Sequence, residues 1–236
     1  MATVFVTGAN RGLGLEFARQ YATDRWKVLA AAREPKKVRE LQDLAQKHSN
    51  LEIHQLDVAD EKSIKNLAEQ LNGEPIDVLI HNSGVYPREG QKIGKINYAG
   101  WQEAFETNVF GPMRVTEALL KNVAASDRKQ IAAISSSMAS LSGVQGGSVA
   151  QAGTSYQYRS SKTALNMALS ILAKELAPRD ISVVLLDPGW VKTDMGGQHA
   201  QLTPEQSIGG MRKVLAGDPQ QMAGKFIGYD GKTRPW

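Results

Sequence analysis

The feature that most constrains this chain is a glycine-spaced stretch near its start. A β-branched run, Thr3–Thr7, leads directly into Gly8-Ala9-Asn10-Arg11-Gly12-Leu13-Gly14, after which Leu13, Phe17 and Tyr21 recur at helical spacing. The sequence therefore reads strand, bare turn, helix. A turn without side chains lets the backbone approach a pyrophosphate, and the free N–H groups of a helix N-terminus point partial positive charge toward it. A glycine triplet is weak evidence by itself, but this one lies between a strand and a helix in the first β–α–β unit, where the mechanism needs it.

The rest of the chain keeps the same rhythm. Strand-like runs are read at Trp26–Ala32, Leu51–Val58, Ile76–His81, Gln130–Ser136, Ile181–Leu186 and Lys225–Tyr229. Helical spacing is read at Gly12–Thr23, Lys36–Lys47, Gly100–Ala125 (interrupted at Gly111-Pro112) and Ser155–Leu176, with another helix capped by Asp60. Strands alternating with helices require crossover connections and a parallel sheet covered on both faces. The expected fold class is α/β: a single doubly wound parallel sheet, or Rossmann fold, flanked by helices on both faces. Nothing divides the chain, so residues 1–236 form one domain, with substrate loops at about 138–154 and 190–210.

Composition removes several chemistries. The 236 residues include no cysteine, which excludes disulfides, thiolate metal sites and cysteine nucleophiles. The four histidines show no metal-ligand spacing, and no GxSxG hydrolase segment is present. Net charge is +4, but the basic residues are scattered rather than clustered with aromatics, so no nucleic-acid partner is expected. No apolar stretch approaches bilayer length and the N-terminus carries no leader pattern, so no membrane partner and a cytoplasmic location are expected.

The residues also point to a particular dinucleotide. An acid ending the second strand would bond a ribose 2′-hydroxyl, whereas an arginine accommodates a 2′-phosphate. Here that strand ends Ala31-Ala32-Arg33, with Glu34 following, and Arg11 adds a second cation inside the glycine turn. Two guanidinium groups meet a phosphate with charge-assisted geometry. NADP is therefore the expected cofactor.

A second constellation lies downstream. Tyr158 and Lys162 stand at i and i+4 near the start of a helix and so project from one face. A free phenol has a pKa of about 10, and a nearby cation favours its ionised form. That pairing suits a general acid for carbonyl reduction or a base for alcohol oxidation. Tyr156 stands off that face.

The segment TGANRGLG resembles the TGxxxGxG turn of the classical short-chain dehydrogenase/reductase family, and the resemblance continues in family order along the chain. Asp57-Val58 matches the segment beside the adenine, although Asp57 could equally cap a helix. His81-Asn82-Ser83-Gly84 is similar to NNAG, with Asn82 and Gly84 retained. In Ser135-Ser136-Ser137 the family's substrate-bonding hydroxyl maps to Ser136, with Ser137 as the alternate because Ala139 replaces a glycine. Ser136 and Tyr158 are further apart than usual in the family, read as a Gly/Ser insertion at Gly143–Gly153. Asn108 matches the helix asparagine that completes a tetrad with Ser136, Tyr158 and Lys162. Pro188-Gly189-Trp190-Val191-Lys192-Thr193 resembles the segment that holds the nicotinamide.

The resemblance implies Gly8, Asn10, Arg11, Gly12, Leu13, Gly14, Arg33, Asp57, Val58, Asn82, Gly84, Tyr158, Lys162, Pro188, Gly189, Val191 and Thr193 as cofactor contacts. Within the family the chain looks most similar to the Sniffer/C-factor-like carbonyl reductases. This implies NADPH-dependent reduction of an aldehyde, ketone or quinone, and a homodimer or homotetramer. The alternative it implies is an NADP-binding signalling or sensor protein with little turnover.

Overall fold

The computed structural model describes residues 1–146 and 155–236. Seven runs pair as strands: β1 (Thr3–Thr7), β2 (Lys27–Ala32), β3 (Leu51–Gln55), β4 (Val78–His81), β5 (Gln130–Ile134), β6 (Ser182–Asp187) and β7 (Phe226–Gly228). They form one parallel sheet in the order β3-β2-β1-β4-β5-β6-β7. The chain runs outward from β1 through β2 to β3, then returns to pair β4 on the other side of β1. That reversal leaves a crevice beyond the C-terminal ends of β1 and β4, the place where open α/β sheets bind ligands.

The connecting helices are α1 (Gly12–Thr23), α2 (Arg39–Lys47), α3 (Glu61–Gln70), α4 (Tyr98–Phe105), α5 (Gly111–Ala124), α6 (Leu141–Gln145), α7 (Tyr156–Leu176), α8 (Pro204–Ala216) and α9 (Pro219–Met222). They cover the sheet as two layers, each with its own core. Val4 and Val6 of β1 pack with Phe17 of α1, Leu41 of α2 and Met211 of α8. Phe5, between them, points the other way and packs with Leu67 of α3, Leu119 of α5 and Leu165 of α7. All five β1 residues are buried, as a central strand covered on both faces requires. At the edge, β3 has only Leu51 buried.

The doubly wound sheet agrees with the sequence reading, but several boundaries differ. The helix expected over Gly100–Ala125 starts at Tyr98, where the Asn97 side chain accepts the Gly100 N–H at 3.0 Å. Its interruption is a π turn over Glu106–Phe110 rather than a break at Gly111-Pro112. Pro112 lies in the first turn of α5, directly after the π turn. The strands expected over Leu51–Val58 and Gln130–Ser136 stop at Gln55 and Ile134, although Leu56 and Ser135 each still donate to the neighbouring strand; Leu56, Asp57, Val58 and Ser135 line the crevice.

The loop expected at about 190–210 ends at Thr203. There a reciprocal Thr203–Gln206 capping box starts α8. In the loop expected at about 138–154, Ser137–Ala139 form a single 3-10 turn and α6 follows. Most of the Gly/Ser stretch lies at 147–154, outside the described residues. No helix among the described residues is long and apolar enough to cross a membrane.

Candidate active site

A cleft of about 920 Å³ opens along the C-terminal ends of the strands, beginning at the glycine turn. Gly8 has φ +64° and Gly12 φ +53°, backbone angles that side chains other than glycine's seldom adopt. A Cβ on Gly14 would lie 2.2 Å from the Gly8 carbonyl oxygen and 2.4 Å from Asn82 Nδ2, so helix and strand approach as closely as a glycine permits. Arg11 occupies the cap position of α1 without a side-chain cap bond, so no side chain there occupies the donors of the first turn. The arrangement suits an anionic phosphate held by backbone N–H groups.

Asn82 fastens this turn to β4. Its Nδ2 donates to the carbonyls of Thr7 and Gly8 at 3.0 and 3.1 Å, while the N–H groups of Asn82 and Ser83 both donate to Thr7 Oγ1 at 3.0 Å. His81 is buried, with Nε2 2.8 Å from Thr116 Oγ1 on α5, and burial depresses its pKa to about 3.

The expected cofactor contacts Gly8, Asn10, Arg11, Gly12, Leu13, Arg33, Asp57, Val58, Asn82, Gly84, Tyr158, Lys162, Pro188 and Thr193 all line this cleft. Gly14, Gly189 and Val191 do not. Gly14 and Gly189 serve as close-packing points, the latter at φ +74° with a Cβ position 2.7 Å from Leu202 Cδ1. Val191 is buried in an isolated bridge to Leu202.

Asp57 is not the helix cap. Asp60 accepts the Lys62 N–H at 3.0 Å and caps α3, whereas Asp57 bonds locally to the Ala59 N–H and lines the cleft. Glu34 points elsewhere too, paired with Lys37, whose ammonium holds its carboxyl below the usual range. Arg11 is paired with Asp194 of the loop after β6, a partner that only the folded chain reveals.

At the other end of the cleft, Tyr158 and Lys162 rise from the first turns of α7 and are 7% and 4% exposed. Ser136, just past β5, lies near enough to the Tyr158 hydroxyl to act on its ionisation. Ser137, the alternate, is exposed, and its N–H is taken by Asp187 at 3.0 Å. Burial pushes the phenol up to about 12, against the opposing pull of Ser136. Burial also lowers Lys162 to about 8, and its Nζ donates to the Ile134 carbonyl at 2.7 Å. The ring of Tyr86 lies 4.8 Å from that of Tyr158, forming an aromatic wall. Tyr156 faces away, against Trp101.

Asn108 is fully buried in the π turn. Its amide Nδ2 donates to Ser161 Oγ and to the Val85 carbonyl, both at 3.0 Å, and its Oδ1 accepts the Val85 N–H at 2.9 Å. Gly84 packs close beside it: a Cβ there would stand 3.3 Å from Asn108 Oδ1 and 3.6 Å from Lys162 Nζ. Asn108 and Lys162 therefore both lie against the Gly84 backbone.

The geometry meets known proteins at every level. The family model described as short chain dehydrogenase matches residues 2–202. The C-signal protein of Myxococcus xanthus is 39% identical over 164 residues, covering 69% of this chain and 93% of that protein. NADPH-bound carbonyl reductase from chicken fatty liver superimposes with a TM-score of 0.92 at 34% identity, covering 100% of this chain and 99% of that one. The carbonyl reductase Sniffer of D. melanogaster gives 0.91 at 29% identity with both chains fully covered. A carbonyl reductase from Pseudomonas aeruginosa PAO1 in complex with NADP gives 0.81 at 31% identity, again with both fully covered. A strand–glycine turn–helix opening, a single parallel sheet and a family model spanning most of the chain lead to one conclusion: the protein belongs to the short-chain dehydrogenase/reductase family.

Proposed function

We propose that the protein reduces an aldehyde, ketone or quinone to the alcohol, with Tyr158 as proton donor. It is an NADP-dependent short-chain dehydrogenase/reductase, and its carbonyl-reductase neighbours include chains holding NADPH and NADP. The observation that carries the reading is the Tyr158–Lys162 pair, buried together on the first turns of α7 in a cleft that runs to the glycine turn.

The residues fit the cofactor. The α1 N-terminus and the bare backbone at Gly8 and Gly12 would take the pyrophosphate, and Arg11 and Arg33 the 2′-phosphate. Asp57 and Val58 would border the adenine, with Pro188 and Thr193 beside the nicotinamide. When bound, NADPH supplies the hydride. Ser136 orients the carbonyl oxygen by donating a hydrogen bond, and Tyr158 delivers a proton to that oxygen from its hydroxyl. A phenol with a pKa of about 12 is protonated in essentially every molecule at neutral pH, so the acid role requires no prior ionisation. Lys162 sets a positive charge behind the phenol, limiting the cost of the negative charge left on its oxygen. Asn108, which lies with Lys162 against Gly84, serves the replacement of that proton.

The exposed apolar side chains Met167 and Ile171 on α7, and Tyr98 on α4, support pairing of two copies through these helices. A second reading, an NADP-binding signalling or sensor protein, is favoured by the similarity to the C-signal protein.

The test is loss of NADPH and NADH absorbance over a panel of aldehydes, ketones and quinones, with Tyr158→Phe as control. NADPH-dependent turnover that falls at least about a thousandfold in the variant supports the reductase. Tight NADPH binding without turnover of any carbonyl would shift the reading to the sensor.

A further inference from the structure

Asp187 ends β6 at 3% exposure, and the mechanism above leaves it without a role. Its carboxylate stands between two backbone turns. Oδ1 accepts the Ser137 N–H at 3.0 Å and the Gly189 N–H at 3.3 Å. The first donor belongs to the turn carrying Ser136 and the second to the Pro188-Gly189 turn. A single oxygen thus ties the hydroxyl that orients substrate to the segment beside the nicotinamide.

The other oxygen is held from behind. Arg234 Nε donates to Asp187 Oδ2 at 2.9 Å, and Arg234 Nη2 lies 2.8 Å from Asp230 Oδ1. Arg234 is itself fixed, because its N–H donates to the Phe226 carbonyl of β7 at 2.8 Å, and the Tyr229 N–H donates to the Asp187 carbonyl at 2.8 Å. The segment after β7 therefore folds back to brace the carboxylate. A purely structural strand end would be served by an apolar side chain such as those of Leu185 and Leu186, which precede it. A carboxylate oxygen accepts both backbone donors at once, which an apolar side chain cannot do.

We propose that Asp187 is a positioning residue for the reduction, holding Ser136 and the Pro188-Gly189 turn in one fixed relation, and that Arg234 holds Asp187 in place. The inference rests on the carbonyl-reductase reading above. Its test compares Asp187→Ala, Asp187→Asn and Arg234→Met in the full chain, by steady-state kinetics and by backbone hydrogen exchange. Asparagine keeps an oxygen for the two backbone donors but gives up the ion pair, which separates positioning from simple stabilisation.

Asp187→Ala is expected to lower kcat about 10- to 100-fold, with KM for NADPH changed by less than about threefold, as displacement of a reacting group does. Asp187→Asn is expected to recover kcat to within about fivefold of the parent, and Arg234→Met to fall between the two. Exchange at the Ser137 and Gly189 amides should accelerate at least about tenfold in the alanine variant and stay near the parent in the asparagine variant.

Equal kcat losses in the alanine and asparagine variants, or unchanged exchange at both amides in the alanine variant, would overturn the proposal. If Asp187→Ala does not fold, Asp187→Asn decides: protected amides with near-parental kcat support positioning, and lost protection overturns it. If the parent turns over no carbonyl, the functional reading has failed by itself, while the exchange measurement still decides whether Asp187 ties the two turns.

Discussion

Asn108 and Val85 are bonded to each other twice. The asparagine side chain accepts the valine N–H at 2.9 Å and donates to the valine carbonyl at 3.0 Å, as a neighbouring strand would. The bracket fixes the chain just after Gly84, where the cleft wall turns toward Tyr86. It also accounts for the π turn, whose extra residue places Asn108 against the loop rather than the helix ladder.

Asn108→Ala should therefore act on stability as well as turnover. It would leave the Val85 backbone groups without partners, at a cost on the order of 3 kcal/mol. For a chain of this size that is a fall in Tm of about 6–12 °C. Thermal unfolding followed by circular dichroism measures it, and a change below about 2 °C would contradict the bracket.

Arg33 and Arg11 should govern coenzyme preference. Arg33→Ala is expected to raise KM for NADPH about 10- to 100-fold and leave KM for NADH within about twofold, since the added phosphate is the only difference between them. Arg11→Ala should do less, because its guanidinium already has Asp194 as a partner. Parallel kinetics with both coenzymes decide the point.

Lys162 sets the expected pH dependence. Its ammonium is lost as pH rises through about 8, whereas Tyr158 keeps its proton to about 12. With a charged lysine required, kcat/KM for the coenzyme, which reports groups of the free enzyme, should fall above pH about 8. Stability moves in the opposite sense. The buried ammonium burdens the folded state below that pH, and the cost is relieved between about 8 and 10.5, where the unfolded chain binds the extra proton. A rate profile still flat at pH about 10 would rule out this assignment.

His81 should limit tolerance to acid. Its folded pKa of about 3 lies below the ordinary imidazole value of 6.5, so the unfolded chain binds more protons between these values. Stability is expected to decline as pH falls through that window. His81→Gln, which keeps a donor for Thr116 but cannot titrate, should lower the acid-unfolding midpoint by at least about half a unit. Acid titration of tryptophan fluorescence is the measurement.

The turn at Gly8–Gly14, the bounds of α1 and the Tyr158–Lys162 face were legible because each depends on local spacing. The sequence reads β3 and β5 too long, because apolar and small polar residues continue beyond Gln55 and Ile134. The start of α8 carries a capping signal in Thr203-Pro204-Glu205-Gln206, inside the stretch expected as loop. Asp187 gave no local signal, since its bonds to Ser137 and Arg234 span 50 and 47 positions. The π turn was hidden for the same reason, being held by a buried side chain that reaches across 23 positions.

The strand order also has a consequence during synthesis. β2 and β3 can dock on one side of β1 early, but its other side waits for β4, which begins at Val78. Until then a strand that is fully buried in the finished sheet is an uncovered edge, apolar and able to template pairing with another chain. β4 is in turn unpaired on its far side until β5 emerges, and so on to β7. Assembly thus proceeds by replacing one sticky margin with the next, and a nascent chain stalled before residue 78 is the form most exposed to aggregation.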